Sequence, residues 1–575
     1  MKWSVLLPIG LGAFLTATTY TLITRSTSPV TAESKLTVQK KIAIRCAPAY
    51  LPNAEESIPP LTGWGNYKWK VTTKSDSAQF YFNQGMAMYY AFHIIESRAS
   101  FDKAVRFDPS FAMGWWGKAL AFGPNINDFG YQRPSEAYPS ATKAVGLKAS
   151  CTPLEKALID AISIRYSNDS TKDQKLLNEK YKEVLATVYK RFSSNADAAA
   201  LYADALMILH PWELYNHDYS PKPWTPEIVS TIKQALKLAP SHPGANHYLI
   251  HALEASAHPE EAMKSADFLA KAMPAVSHVT HMPSHIYIRT GHYNTGMNVN
   301  TNANEGYRQY LSAFSPTAEG AFLYLLHNLH MKMACAQMAG NYKEAIAASK
   351  ELQAQIPDAY LSFGGALGNY IQYLHQSPLM TYIRFGKWEE LLAEKRLDSF
   401  AYTSVLQHFG RGLAFARTGR VNEANEELAQ MKMNMQNPVL KEPFTPFNAA
   451  FDGAEIAENI LEGVIATQQN NLPQAIVQFE KAAKAEDQLI YNEPRDWVLP
   501  ARHYLADALL RAARYNEAAI VLKKDLSVNP LNGWALTGLQ LAFEKANKQV
   551  EMAAAKQRLK NAWLVKDIEI RRPVF

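Results

Sequence analysis

Histidine is unevenly distributed along this chain: of the 16 present, 12 fall between His210 and His330. Imidazole nitrogen is a common ligand for first-row transition metals. Two imidazoles four residues apart on a helix share a face, about 5–6 Å apart at Cβ, which lets them share one ion. His247 and His251 have that spacing, and so do His281 and His285. His327 and His330 follow three residues apart, and Glu254 stands three residues past His251. His247, His251, His281 and His285 are the expected ligands, with His327 joining them. Glu254 and His330 are the groups placed for proton transfer or outer ligation. The metal is a transition ion; imidazole suits zinc, copper, iron or nickel, and spacing does not choose among them. If the centre is catalytic, the ion acts as a Lewis acid or a redox centre.

Two details temper the pattern. Tyr248 stands where a helical zinc protease carries its glutamate base, so that reaction lacks its base. Pro283 lies between His281 and His285 and reads as the first residue of a helix, which puts His281 just before the helix. Asp204, His210 and Trp212 form a further polar group, expected as outer members of the same pocket. The same residues also fit a polar groove that holds a peptide or an envelope protein. His93, His375, His408 and His503 read as structural, and His242, His258 and His292 as solvated turn residues.

A helical repeat positions these side chains. The tetratricopeptide pattern has a 34-residue period, with small residues where two antiparallel helices touch and Pro where the second helix ends. The unit starting at Ala78 supplies Gly85, Phe101, Ala104 and Pro109. Units starting at Pro243, Leu326, Val405, Ile456 and Leu499 match as well, and weaker ones begin near Ala112, Ser277, Gln372 and Leu531. The expected fold is therefore all-α, a superhelical solenoid of tetratricopeptide-like helical hairpins over residues 76–575. Its first helices line the concave side. Three neighbouring repeats then aim six histidines and Glu254 into one stretch of groove. Residues 123–150 break the period and read as a loop insertion. Thr152 and Glu155 read as a capping box that opens a new helix.

The N-terminus is expected to address the chain. Lys2 precedes an apolar, uncharged stretch over residues 3–24, about 33 Å as a helix and long enough to cross a bilayer. Val30-Thr31-Ala32 fits signal-peptidase cleavage, whereas Arg25 and the length of the stretch fit an uncleaved anchor. Either way the body is exported, periplasmic or tethered to the inner membrane. Residues 1–32 form this segment and residues 33–75 a Pro-containing linker. The chain is 47% hydrophobic and 19% charged, which excludes a disordered chain or a simple coiled coil. Three cysteines make no disulfide framework, and pairing of Cys46 with Cys151 is left open. The net charge of +6 is scattered without a basic block, so no nucleic-acid partner is expected.

Several phrases resemble a family of bacterial tetratricopeptide-repeat proteins: Ala112 to Gly117 with Gly123-Pro-Asn125, His247 to Glu254, His281 to Tyr293, His327-Asn-Leu-His330, Glu493 to Trp497, and Asn529 to Trp534. The resemblance covers nearly all of the chain after about residue 75, and His281-Met-Pro-Ser-His-Ile-Tyr287 is its most specific motif. It implies the fold and a shared site, not a reaction. Members often carry an Asn-His-x-Glu-Ala phrase in the first repeat; here Phe92-His-Ile-Ile-Glu-Ser97 departs from it, which puts a role for His93 in doubt. The loop bearing Glu493, Asp496 and Trp497 either closes the pocket from the far side or caps the next helix.

Overall fold

The computed structural model describes residues 57–127, 134–314, 317–444 and 447–575, with side chains from 322 onward in the helix that starts at Thr317. The apolar segment and its cleavage site lie outside the described residues, as does Cys46. Among the described residues, no helix is long and apolar enough to cross a membrane.

The fold is an array of antiparallel helix pairs, each packed on the next. The first pair is Asp76–Tyr90 with Ile94–Phe107. The central pairs are Pro243–Leu253 with Met263–Ala272, Pro283–Thr290 with Tyr293–Ala313, and Thr317–Met338 with Tyr342–Gln355. The last is Gly533–Lys545 with Gln549–Ala562. Small residues set the closeness of the pairs. A Cβ at Gly85 or Gly117 would overlap the ring of Phe101, and one at Gly463 the ring of Phe479. Side-chain caps start the helices: Thr152 and Glu155 form the expected capping box, and Asn341 and Asn471 cap the second helices of their hairpins.

Three expectations change. Residues 123–150 are not a loop insertion, because Pro134–Leu147 is a helix that pairs with Ala112–Leu120. The period was obscured by Pro139 inside that helix. Residues 57–75 are not a free linker. Ile58, Leu61, Trp69 and Val71 are buried, and the backbone amides of Leu61 and Trp69 donate to Gln84 and Asn83. Finally, His281 is not outside a helix. It ends the turn Ser277–His281, and Met282 keeps helical dihedrals (φ −48°, ψ −38°) into Pro283–Thr290.

The array curls back on itself. The first hairpin meets both Pro243–Leu253 and Thr317–Met338, and the Tyr324 hydroxyl donates to the Phe92 carbonyl at 3.3 Å. From the other end, the Tyr293 hydroxyl donates to the Pro530 carbonyl at 2.8 Å, and the Trp534 indole to that of Gln337 at 2.9 Å. Gly291, at φ +83°, lies against that Pro530 carbonyl where no side chain would fit.

Candidate metal centre

The curl brings histidines from three consecutive repeats together under the first hairpin. They fall into two groups of three. His247, His251 and His278 form one, and His281, His285 and His327 the other. All six are 0–3% exposed, so what they contact is protein and one another. In the first group the Nε2 of His247 lies 3.1 Å from that of His278 and 3.1 Å from that of His251. In the second the Nε2 of His285 lies 3.0 Å from that of His281 and 3.4 Å from that of His327. Two nitrogens each about 2.0–2.1 Å from one tetrahedral ion stand about 3.3 Å apart.

Partners on the other ring nitrogens decide which nitrogen carries the proton. The Nδ1 of His247 is 2.6 Å from the Tyr90 carbonyl, which only accepts, so Nδ1 donates and the neutral ring turns a bare lone pair inward at Nε2. His281 is held likewise. The Asn300 amide donates to the Gly296 carbonyl, which leaves its Oδ1 facing His281 Nδ1 at 3.2 Å. Glu254 serves two rings, with Oε1 3.0 Å from His251 Nδ1 and Oε2 2.5 Å from His285 Nδ1. Such outer partners fix the orientation of metal-binding imidazoles. Facing lone pairs at 3 Å repel unless a proton or a cation lies between them.

Burial favours the neutral, ligating form of these rings. Desolvation pushes His247, His278, His281 and His285 well below the usual imidazole value, with neighbouring imidazoles adding to it, and takes His251 down to about 3. Burial drives the Glu254 carboxyl the other way, well above its usual range, against the opposing charge of Arg289.

The sequence-derived residues separate in space. His247, His251, His281, His285, His327 and Glu254 converge. His330, one turn past His327, lies outside both groups and packs edge-on against Tyr373 at 5.5 Å. Trp212 reaches the centre, its ring edge-on to His251 at 5.6 Å. His210 does not; it stacks on Trp224 at 3.8 Å. Asp204 sits one layer back, where it accepts from the Tyr89 hydroxyl at 2.7 Å. In the distal loop Glu493 Oε1 comes 3.5 Å from His285 Nδ1. Asp496 instead accepts from Asn448 and Asn492, and Trp497 is core beside Phe409. That loop therefore both reaches the centre and braces its own turn.

Two residues were missed. His278 is a full member of the first group, and its signal was available: with His281 and His285 it makes a helical i, i+3, i+7 series. His93, read as structural, borders the centre, where its Nε2 accepts from the His278 amide at 3.4 Å and its Nδ1 is 2.8 Å from Glu96. Phe92 lies beside His247, His251 and His278, with ring centroids 4.5, 5.7 and 5.7 Å away.

No protein-family model matches the sequence, and no curated protein matches it. Among solved structures, the human IFIT1 dimer with m7Gppp-AAAA is 15% identical, with 86% of this chain and 90% of that one covered at a TM-score of 0.28. Yeast Tom70 is 11% identical, with 84% and 92% covered at 0.31. Cut9 in the APC/C Cut9–Hcn1 hetero-tetramer is 14% identical, with 85% and 96% covered at 0.26. Likeness at this level carries nothing about ligand or partner; the architecture rests on the helix pairing itself.

Proposed function

We propose that this is an exported or membrane-anchored transition-metal protein, with its metal held by buried histidines inside a helical-hairpin array. The supporting observation is the convergence of imidazole Nε2 atoms at 3.0–3.4 Å, with the Nδ1 atoms of His247, His251, His281 and His285 turned outward to oxygen partners. Neutral nitrogen donors without thiolate suit zinc, copper, iron or nickel in the divalent state. Three protein ligands leave a coordination position open, the pattern of catalytic rather than structural zinc sites. An ion held there supplies Lewis-acid or redox chemistry. The chain's own contribution is to exclude bulk water, with Phe92 and Trp212 beside the imidazoles, and to hold the rings through Tyr90, Asn300 and Glu254.

The test is metal analysis of full-length protein purified without chelator. At least one equivalent of a transition metal is expected, and its loss in the double variant His247→Ala/His251→Ala. Less than about 0.2 equivalents, unchanged after incubation with zinc or copper, overturns the proposal.

A peptide-binding scaffold is a second reading, and a different place supports it. A small pocket of about 40 Å³ is lined by Tyr370, Tyr373, Tyr402 and Phe444, with Asn369 and Asp496 at its wall. Aromatic rings and amides together suit one anchoring side chain of a bound peptide. Tyr370→Ala with Phe444→Ala should abolish such binding and leave metal content unchanged.

A further inference from the structure

We infer that the centre is binuclear: two three-imidazole sites, each for one divalent first-row transition ion, coupled through the single carboxylate of Glu254. This rests on the metal reading above and specifies it.

The six imidazoles do not make one coordination shell. The ligand atoms of His247, His251 and His278 lie within 4.8 Å of one another, and so do those of His281, His285 and His327; the group that spans both sets does so through a carboxylate, with Glu254 between His251 and His285. Where the sets adjoin, they meet through whole rings: His278 and His281 are 5.5 Å apart at their centroids, His251 and His285 6.1 Å. Each set already has the three protein ligands of an open site. A single ion would therefore leave three buried imidazoles without one.

Glu254 joins the sets. Its two oxygens face the outer nitrogens of one ligand from each, His251 at 3.0 Å and His285 at 2.5 Å. With two cations beside it the carboxylate is ionised despite its burial; it then accepts from both Nδ1–H groups at once, and so turns both Nε2 lone pairs inward. It also supplies negative charge between two cations in a site almost sealed from solvent, with Glu254 1% exposed. Glutamine in its place accepts from one ring but presents an N–H to the other. That ring must flip or lose its partner. Glu254 is thus a positioning residue for both sites together.

The test is titration of chelator-stripped full-length protein with Zn²⁺ and with Co²⁺, read as bound equivalents and as the Co²⁺ absorption spectrum. The wild type should bind two equivalents. His247→Ala/His251→Ala should keep one, and His281→Ala/His285→Ala should keep one. Glu254→Gln removes the negative charge beside both ions and the acceptor from one ring, so it should weaken both sites about 10- to 100-fold, one more than the other, beyond any shift of the unfolding midpoint measured in chelator. Glu254→Asp should restore part of the affinity. Binding of one equivalent, abolished by either double variant, overturns the binuclear centre and leaves the metal proposal intact. No binding overturns both. A Glu254→Gln protein weakened at one site only overturns the shared carboxylate. The wild-type stoichiometry decides the main point even where a double variant fails to fold.

Discussion

His278 shows what one side chain contributes. Its Nε2 faces that of His247, while its own backbone amide is held by His93. We expect His278→Ala to lower metal content as much as His247→Ala does, and His330→Ala to leave it unchanged; metal analysis of the three variants checks this. Asp204 gives a prediction about protons. Burial raises its carboxyl to about 6, with the Tyr89 hydroxyl opposing. A carboxyl raised above its unfolded value binds more protons folded than unfolded, so the wild type loses stability as pH rises from about 4 to 6. Asp204→Asn removes that titration. Its stability relative to wild type should therefore rise by about 3 kcal/mol over this interval and stay level above pH 6.5. A denaturant series at several pH values would show it, and a flat difference would contradict it. Spacing alone identified five of the six converging histidines. His278 belongs to no i, i+4 pair, and its place on the helix shows only in the longer series with His281 and His285. His330 was included because sequence distance does not say which way a helix faces.

Elements hold these residues by close packing. Gly244 lies at the start of Pro243–Leu253, one turn before His247, and a Cβ there would overlap the ring of Tyr90. Gly117 makes an equivalent close approach to Phe101, between helices that carry none of the six histidines. Overpacking either position should cost about 1–3 kcal/mol. Only Gly244→Ala should also weaken metal binding, because it moves the helix of His247 and His251 against the carbonyl of Tyr90. Thermal unfolding and metal titration of both alanine variants separate the two effects. Equal metal affinity in both would show that helix placement at this level does not matter to the centre. Hairpin starts and stops were legible from small residues and prolines. The helix Pro134–Leu147 was not, since Pro139 inside it imitates a loop, and Pro283 concealed a helical path that continues through Met282.

For the whole molecule, the centre draws on segments far apart in the chain. The turn at Phe92 and His93, the helices from Pro243 to Thr290, the helix with His327, and the loop with Glu493 all meet there. Metal loading should therefore slow amide exchange in all four regions together, including the loop 491–497, with little change in distant hairpins such as Gln549–Ala562. Hydrogen-exchange mass spectrometry with and without Zn²⁺ measures this, and protection confined to 243–290 would show that the ends do not take part. The sequence by itself determined the helical period, the pairing of small with aromatic residues, and the paired imidazoles, because these depend on spacing within one or two turns of chain. Tertiary structure alone decided that the imidazoles divide into two groups of three. It also decided that Glu254 stands between them, that Phe92 and His93 border them, and that His210 turns away. Those outcomes depend on how tightly the array curls. Curl sums many small inter-hairpin rotations, and no local pattern of residues records that sum.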